Sequence, residues 1–296
     1  MIREFFGFRV TEPLSEPNPQ VSRQFDLRRI YSALVFVPLF YLLVRYGPPI
    51  LFSFLVTAVS LLALWEFYGM SFPTQGHRIS MIVGVGLLLL ILLPIQYLEK
   101  TGIIFILTVV IFGALIFLMM NFTPGKQVIP THLIFPFGAL YIGVGLGHFL
   151  LIRNLAEGDL FVFFVILVTW AADTAAYYTG KTMGRRPLAP RLSPKKTVEG
   201  FVGGLLCAMF VAGLSHFWFF PFLSLGECVI IGVLLTGLGL LGDLAESYFK
   251  RSSGVKDSGT LIPGHGGVLD RLDSLLFTGP AFYYSYIFLT GAAGGI

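Results

Sequence analysis

The stretch Gly102-Ile103-Ile104-Phe105-Ile106-Leu107-Thr108-Val109-Val110-Ile111-Phe112-Gly113-Ala114-Leu115-Ile116-Phe117-Leu118-Met119-Met120 contains no charged side chain. A helix needs about 20 apolar residues to cross a hydrocarbon core about 30 Å thick, and this run supplies them without interruption. Further apolar runs lie at 30–46, 49–70 and 79–98 before it, and at 132–152, 159–179, 200–220, 227–248 and 274–294 after it. The breaks carry loop chemistry: Gly47-Pro48-Pro49, Pro73-Thr74-Gln75-Gly76, Glu99-Lys100-Thr101-Gly102 and Pro124-Gly125-Lys126. One such run fits a buried helix of a soluble protein; nine in a chain of 296 residues do not. The expected fold is all-α: a polytopic integral membrane protein with about nine transmembrane helices.

Composition agrees. Hydrophobic residues make up 55% of the chain and charged residues 12%, against ~25% charged in a soluble domain. Mean hydropathy is +0.82. A soluble globular enzyme, a disordered chain and a fibrous repeat are excluded. The two cysteines, Cys207 and Cys228, stand in apolar runs without Cys-x-x-Cys spacing and read as buried thiols. Residues 1–29 are polar and carry both signs of charge, so no removable signal peptide is expected.

The net charge of +4 is first a topology signal. With the N-terminus cytoplasmic, seventeen of the twenty basic residues fall on the cytoplasmic side; only Arg45, Lys100 and Arg153 fall opposite. Nine crossings then put the C-terminus on the far side. The division expected is a cytoplasmic N-terminal segment at 1–29, five helices over 30–158, and a catalytic half over 159–296. That half contains two long cytoplasmic loops, 180–199 and 249–273, which hold ten of the twenty basic residues. Inner-membrane placement in a bacterial cell is the expected localisation.

Ionisable groups within a membrane segment are costly, so each one needs a reason. Glu66, in Leu64-Trp65-Glu66-Phe67-Tyr68, reads as an interfacial anchor beside an aromatic belt. Asp173 sits among Ala171, Ala172, Ala175 and Ala176, small residues that let other backbones approach. Asp243 and Glu246 are three apart on one helix and share a face with Ser247. Neighbouring carboxylates at low dielectric repel unless a proton or cation sits between them; Mg²⁺ suits such a site when a phosphate ligand is present. The 249–273 loop adds Lys250, Arg251, Lys256 and Arg271 for phosphate oxygens, His265 within the glycines Gly264, Gly266 and Gly267, and Asp270 and Asp273 at the start of the last helix. In the 180–199 loop, Ser193-Pro194 or Thr197-x-Glu199 starts the next helix, and Lys195 and Lys196 suit anionic phosphates. Gly180-Lys181-Thr182 is not a P-loop, because position 175 is alanine and the stretch leaves a helix rather than a strand.

Ser247-x-x-Lys250-Arg251, Lys256-Asp257 and Pro263-x-His265-Gly266-Gly267-x-x-Asp270-Arg271-x-Asp273 together resemble the signature of the phosphatidate cytidylyltransferases, or CDP-diacylglycerol synthases. Ser193-Pro194-Lys195-Lys196-Thr197-x-Glu199-Gly200 and Asp173 with its Ala/Tyr neighbours resemble that family too. The resemblance implies transfer of a cytidylyl group from CTP to phosphatidic acid, giving CDP-diacylglycerol and pyrophosphate. It also implies an Mg²⁺-dependent site facing the cytoplasm, with Asp243 and Asp270 as metal ligands, and a homodimer. On this reading Asp173 and Glu246 extend the metal site, where a second cation such as K⁺ can share the carboxylates. Lys250, Arg251, Lys256, His265 and Asp273 are the further catalytic candidates. Lys195, Lys196, Thr197, Ser247, Gly266, Gly267 and Arg271 are candidates for holding substrate; the role of His265, proton acceptor or triphosphate contact, stays open. Membrane lipids are the expected surroundings, and nucleic acid is not expected as a partner.

Two rivals remain at this stage. A secondary transporter explains intramembrane carboxylates but not the charged, glycine-rich loop at 249–273, and no internal repeat is visible. A cytidylyltransferase for another lipid phosphate differs only in substrate. A CDP-alcohol phosphotransferase would carry Asp-Gly-x-x-Ala-Arg, which is absent from the sequence.

Overall fold

The computed structural model describes residues 39–71, 78–97, 101–121, 131–255, 257–259 and 266–291. Two compact units are distinguished, 1–47 and 48–296. Within the first, residues 39–46 are helical; the rest of the apolar run beginning at 30, and the segment 1–29, lie outside the described residues.

The second unit is built of eight helices and one small hairpin: α1 (Pro49–Ser71), α2 (Arg78–Tyr97), α3 (Thr101–Met120), α4 (Thr131–Arg153), α5 (Gly158–Met183), β1 (Pro187–Ala189), β2 (Ser193–Thr197), α6 (Val198–Trp218), α7 (Leu225–Ser252) and α8 (Leu269–Thr290). Among the described residues, six helices are long and apolar enough to cross a membrane: α1, α3, α4, α5, α6 and α7. They make the chain an all-α integral membrane protein. The described apolar part of α2 is shorter, Met81–Ile95. α8 carries Asp270, Arg271 and Asp273 in its first turns, which lowers its apolar share.

Three element boundaries differ from the sequence reading. α5 runs on to Met183, and α7 to Ser252, each past its apolar run, because their ends are closed by backbone bonds: Gly184 N–H to Gly180 O, and Ser253 N–H to Phe249 O at 3.0 Å. α8 begins at Leu269, ahead of its apolar run at 274–294, so the long loop shrinks from both sides and Asp270 and Asp273 lie at the start of the helix as expected. The 180–199 loop is ordered as the antiparallel pair β1–β2, with Pro187 opposite Thr197 and Ala189 opposite Ser193. Glu199 Oε2 braces that hairpin by accepting the N–H groups of Arg185 (3.0 Å) and Arg186 (3.1 Å). Of the two possible starts for α6, the structure uses Thr197, whose hydroxyl accepts the N–H of Gly200 at 3.1 Å.

Small residues decide how closely the helices pack. A Cβ at Gly204 would lie 2.8 Å from Ala172 O, and one at Gly200 2.8 Å from Ala176 O, so α6 rests backbone to backbone on α5. Gly232 meets Ala208 O in the same way between α7 and α6. A Cβ at Gly242 would overlap Asp273 O, so this glycine brings α7 against α8 beside two of the candidate carboxylates. Aromatic rings fill what the small residues leave. Phe249 of α7 meets Phe67 of α1 edge-on at 4.9 Å and Tyr141 of α4 at 5.9 Å, and Phe164, Phe220 and Phe282 join α5, the segment after α6, and α8. Cys228 is buried, whereas Cys207 is only half-buried.

Candidate active site

Four elements meet at one acidic cluster. Asp243 and Glu246 project from α7 and Asp273 from α8, with one carboxylate oxygen of each within 4.8 Å of the others. Gly242 makes that approach possible, since any side chain there would hold α8 away. Asp173 of α5 faces Asp243 and Ser274, on the open side of the cluster. Asp270 lies one turn before Asp273 and beside Glu246.

Two lysines thread between these carboxylates. Lys250 Nζ bridges Glu246 Oε2 at 2.7 Å and Asp270 Oδ1 at 2.8 Å. Lys196 Nζ pairs with Asp243 Oδ2. Strand alternation explains why Lys196 reaches inward while its neighbour Lys195 is exposed. The hairpin therefore delivers a cation to the helical cluster, which is the structural use of the ordered 180–199 segment. The carboxylates Asp173, Asp243, Glu246, Asp270 and Asp273 outnumber these two ammonium groups, and Glu246 Oε1 is buried with no hydrogen-bond partner among the described residues. An all-oxygen donor set with excess negative charge suits a hard divalent cation.

Asp270 is held from its other side by backbone. Its Oδ2 accepts the N–H groups of Gly267 at 2.8 Å and Ser258 at 3.2 Å. Gly266 adopts a positive φ of 78°, and a Cβ there would crowd Asp270 Oδ2 at 2.8 Å. The remaining sequence candidates are less tightly gathered. Ser247 is buried on α7. Arg251 is exposed and donates from Nε to Leu192 O at 3.4 Å, reaching toward the hairpin. Arg271 is exposed. Lys256 and His265 lie outside the described residues.

One site residue was misread in the sequence. Glu66 is not an interfacial anchor: it is 4% exposed, and its carboxylate accepts hydrogen bonds from Val268, Leu269 and Ser258. The available signal was a lone charge inside an apolar helix, but its partners lie about two hundred positions away in the chain, beyond any local pattern.

Residues 27–289 match the cytidylyltransferase family. The chain belongs to that family. Relatives named phosphatidate cytidylyltransferase include one from Bacillus subtilis (strain 168), 36% identical over 269 residues that cover 88% of this chain and 96% of that protein. One from Staphylococcus epidermidis (strain ATCC 35984) is 33% identical over 86% of this chain and 95% of that protein. One from Staphylococcus saprophyticus is 47% identical over a shorter stretch, 46% of this chain and 53% of that protein. Membership in the cytidylyltransferase family decides against the transporter, and the acidic cluster belongs to a nucleotidyltransferase.

Proposed function

We propose that this cytidylyltransferase joins CTP to phosphatidic acid, giving CDP-diacylglycerol and pyrophosphate. The observation that carries the reading is the convergence of five carboxylates and two lysines at one end of α7 and α8, in a chain whose relatives are named for this reaction. A phosphatidate oxygen attacks the α-phosphorus of CTP. The bond from that phosphorus to the bridging oxygen breaks, and its electron pair leaves with pyrophosphate. Such a transfer needs mainly positioning and charge neutralisation.

The residues divide that work. Asp243, Glu246 and Asp273 would hold Mg²⁺, with Asp270 beside Glu246 as a fourth carboxylate and Asp173 at the open side. When bound, the ion neutralises charge on the phosphate oxygens. Lys250 fixes the spacing of Glu246 and Asp270. Lys196, together with Lys195, Arg251, Lys256 and Arg271, supplies positive charge for the triphosphate and the lipid phosphate. Thr197, Ser247, Gly266 and Gly267 are the further proposed substrate contacts. His265, outside the described residues, would act either as a proton acceptor or as a triphosphate contact. A second cation such as K⁺ is accommodated by the excess of carboxylates.

The embedding follows from the lipid substrate. Acyl chains stay among the membrane lipids while the phosphate reaches the cluster, so the helices need only bring a polar site to the membrane surface. The charge distribution supports nine crossings, a cytoplasmic N-terminus, a site facing the cytoplasm and a bacterial inner membrane. The division into an N-terminal segment, a five-helix half and a catalytic half from 159 onward, and assembly as a homodimer, complete the proposal.

The test is conversion of labelled CTP by protein purified in detergent, with phosphatidic acid and Mg²⁺. Label in a CDP-lipid only when both are present is the expected result. No product from folded protein with phosphatidic acid, but product with another lipid phosphate, would transfer the reading to that substrate.

A further inference from the structure

Glu66 has no place in the reaction just described, yet it is tied into the site more firmly than several residues that do. It stands near the end of α1, and the residues it touches lie in the loop and helix that carry Asp270. Its Oε1 accepts the N–H of Val268 at 2.9 Å. Its Oε2 accepts the N–H of Leu269 at 2.8 Å and the hydroxyl of Ser258 at 3.3 Å. Val268, the residue that opens α8, makes no side-chain cap bond of its own. A carboxylate from a distant helix therefore satisfies the first N–H groups of α8, where a negative charge also meets the favourable end of the helix dipole.

The same two limbs hold Asp270. Ser258 gives its N–H to Asp270 and its O–H to Glu66. Gly267 gives its N–H to Asp270, and the next two N–H groups go to Glu66. Glu66 and Asp270 are thus the two anionic anchors of the described ends of that loop, at Ser258 and at Gly267 to Leu269. Glycine is required where that loop closes on Glu66: a Cβ at Gly259 would lie 2.7 Å from Glu66 Oε1, and one at Gly267 would overlap both Ser258 Oγ and Glu66 Oε2.

We infer that Glu66 is a positioning residue for the cytidylyl transfer, a clamp from the N-terminal helices that sets where Asp270 stands relative to the other carboxylates. The inference rests on the proposed reaction for its meaning but not for its geometry. It gives the N-terminal helices a role in the site: they bring the carboxylate that fixes the loop.

Glu66→Gln keeps the size of the side chain but sets an NH₂ against donors, so at least one of the three bonds is lost. Supporting residues of this kind typically change metal affinity or activity by about 10–100-fold. The measurement is Mn²⁺ binding to full-length protein in detergent, read by electron paramagnetic resonance, beside the Mg²⁺ dependence of turnover. The expected result is a rise of about tenfold in the half-saturating metal concentration, with KM for CTP within about twofold of the parent. A purely structural role would reduce the folded fraction and leave the metal dependence of the folded molecules unchanged; that outcome, in folded Glu66→Gln, overturns the inference. Should Glu66→Gln not fold, Ser258→Ala is read the same way: it removes one bond to Glu66 and keeps the backbone bond to Asp270. A rise of about threefold, the scale of one net hydrogen bond, is then expected, and no change overturns the inference. Because Mn²⁺ binding is read without turnover, a parent protein that makes no CDP-diacylglycerol would refute the proposed reaction while leaving this test intact.

Discussion

Asp270 shows how much one side chain can be asked to do. Its two oxygens accept from an ammonium group and two backbone N–H groups, so its position is fixed before any ligand arrives. Asp270→Asn keeps the shape and removes the charge. Turnover is expected to fall at least about 100-fold, the scale seen when one preorganised polar group is lost from an active site, while expression and thermal unfolding stay near those of the parent. Substantial CDP-lipid synthesis by that variant would remove Asp270 from the metal set. Lys250 is the opposite case. It bridges Glu246 and Asp270 with its side chain 15% exposed, so Lys250→Met strands two carboxylates. Breaking a buried ion pair costs about 3–5 kcal/mol, and a clear drop in the unfolding midpoint in detergent should accompany the loss of activity. An unchanged midpoint would mean that the carboxylates find protons or water as readily as they find Lys250.

At the scale of elements, the site depends on contacts between helices made where side chains are missing. Gly242 sets the distance between α7 and α8, and its Cβ position is occupied by Asp273 O and bordered by Phe277. Gly242→Ala must separate the two helices at the level of Asp243 and Asp273. Misplacement by about 1 Å can cost a reaction on the order of 100-fold, and turnover should fall on that scale although no functional group has been removed. A variant with parental kcat would show that α7 and α8 can separate here without disturbing the cluster. The hairpin β1–β2 is the second such element. The sequence reads this stretch only as a long cytoplasmic loop, and its order is braced by Glu199, which ties Arg185 and Arg186 from a helix that begins after the hairpin ends. That order places Lys196 against Asp243 while Lys195 faces outward.

For the whole molecule, the testable matter is orientation. The basic residues are so unevenly distributed that the hairpin must face the cytoplasm if the positive-inside rule governs this chain. In a background lacking Cys207 and Cys228, Arg186→Cys should react with an impermeant thiol reagent only from the cytoplasmic side, and Asn154→Cys only from the other. Both positions are exposed, so each reports its side directly. Labelling of both from one side would refute the crossing between them.

The sequence alone determined the class of fold, and it did so through length and polarity. A single run such as 102–120 would fit a buried helix of a soluble protein, but nine of them in 296 residues need a membrane. The sequence also pointed to the chemistry, through the resemblance of the span from Ser247 to Asp273 to the phosphatidate cytidylyltransferase signature. Helix ends were less legible, because α7 and α8 extend into polar residues held by backbone bonds that hydropathy does not register. Tertiary structure alone decided which groups meet. Lys196 comes to Asp243 through a hairpin whose pairing depends on Glu199, and Glu66 comes to Ser258, Val268 and Leu269 from the other end of the chain. Local sequence reports a residue's propensity and its cost of burial. It does not report the partner that offsets that cost, when the partner is brought by a different helix.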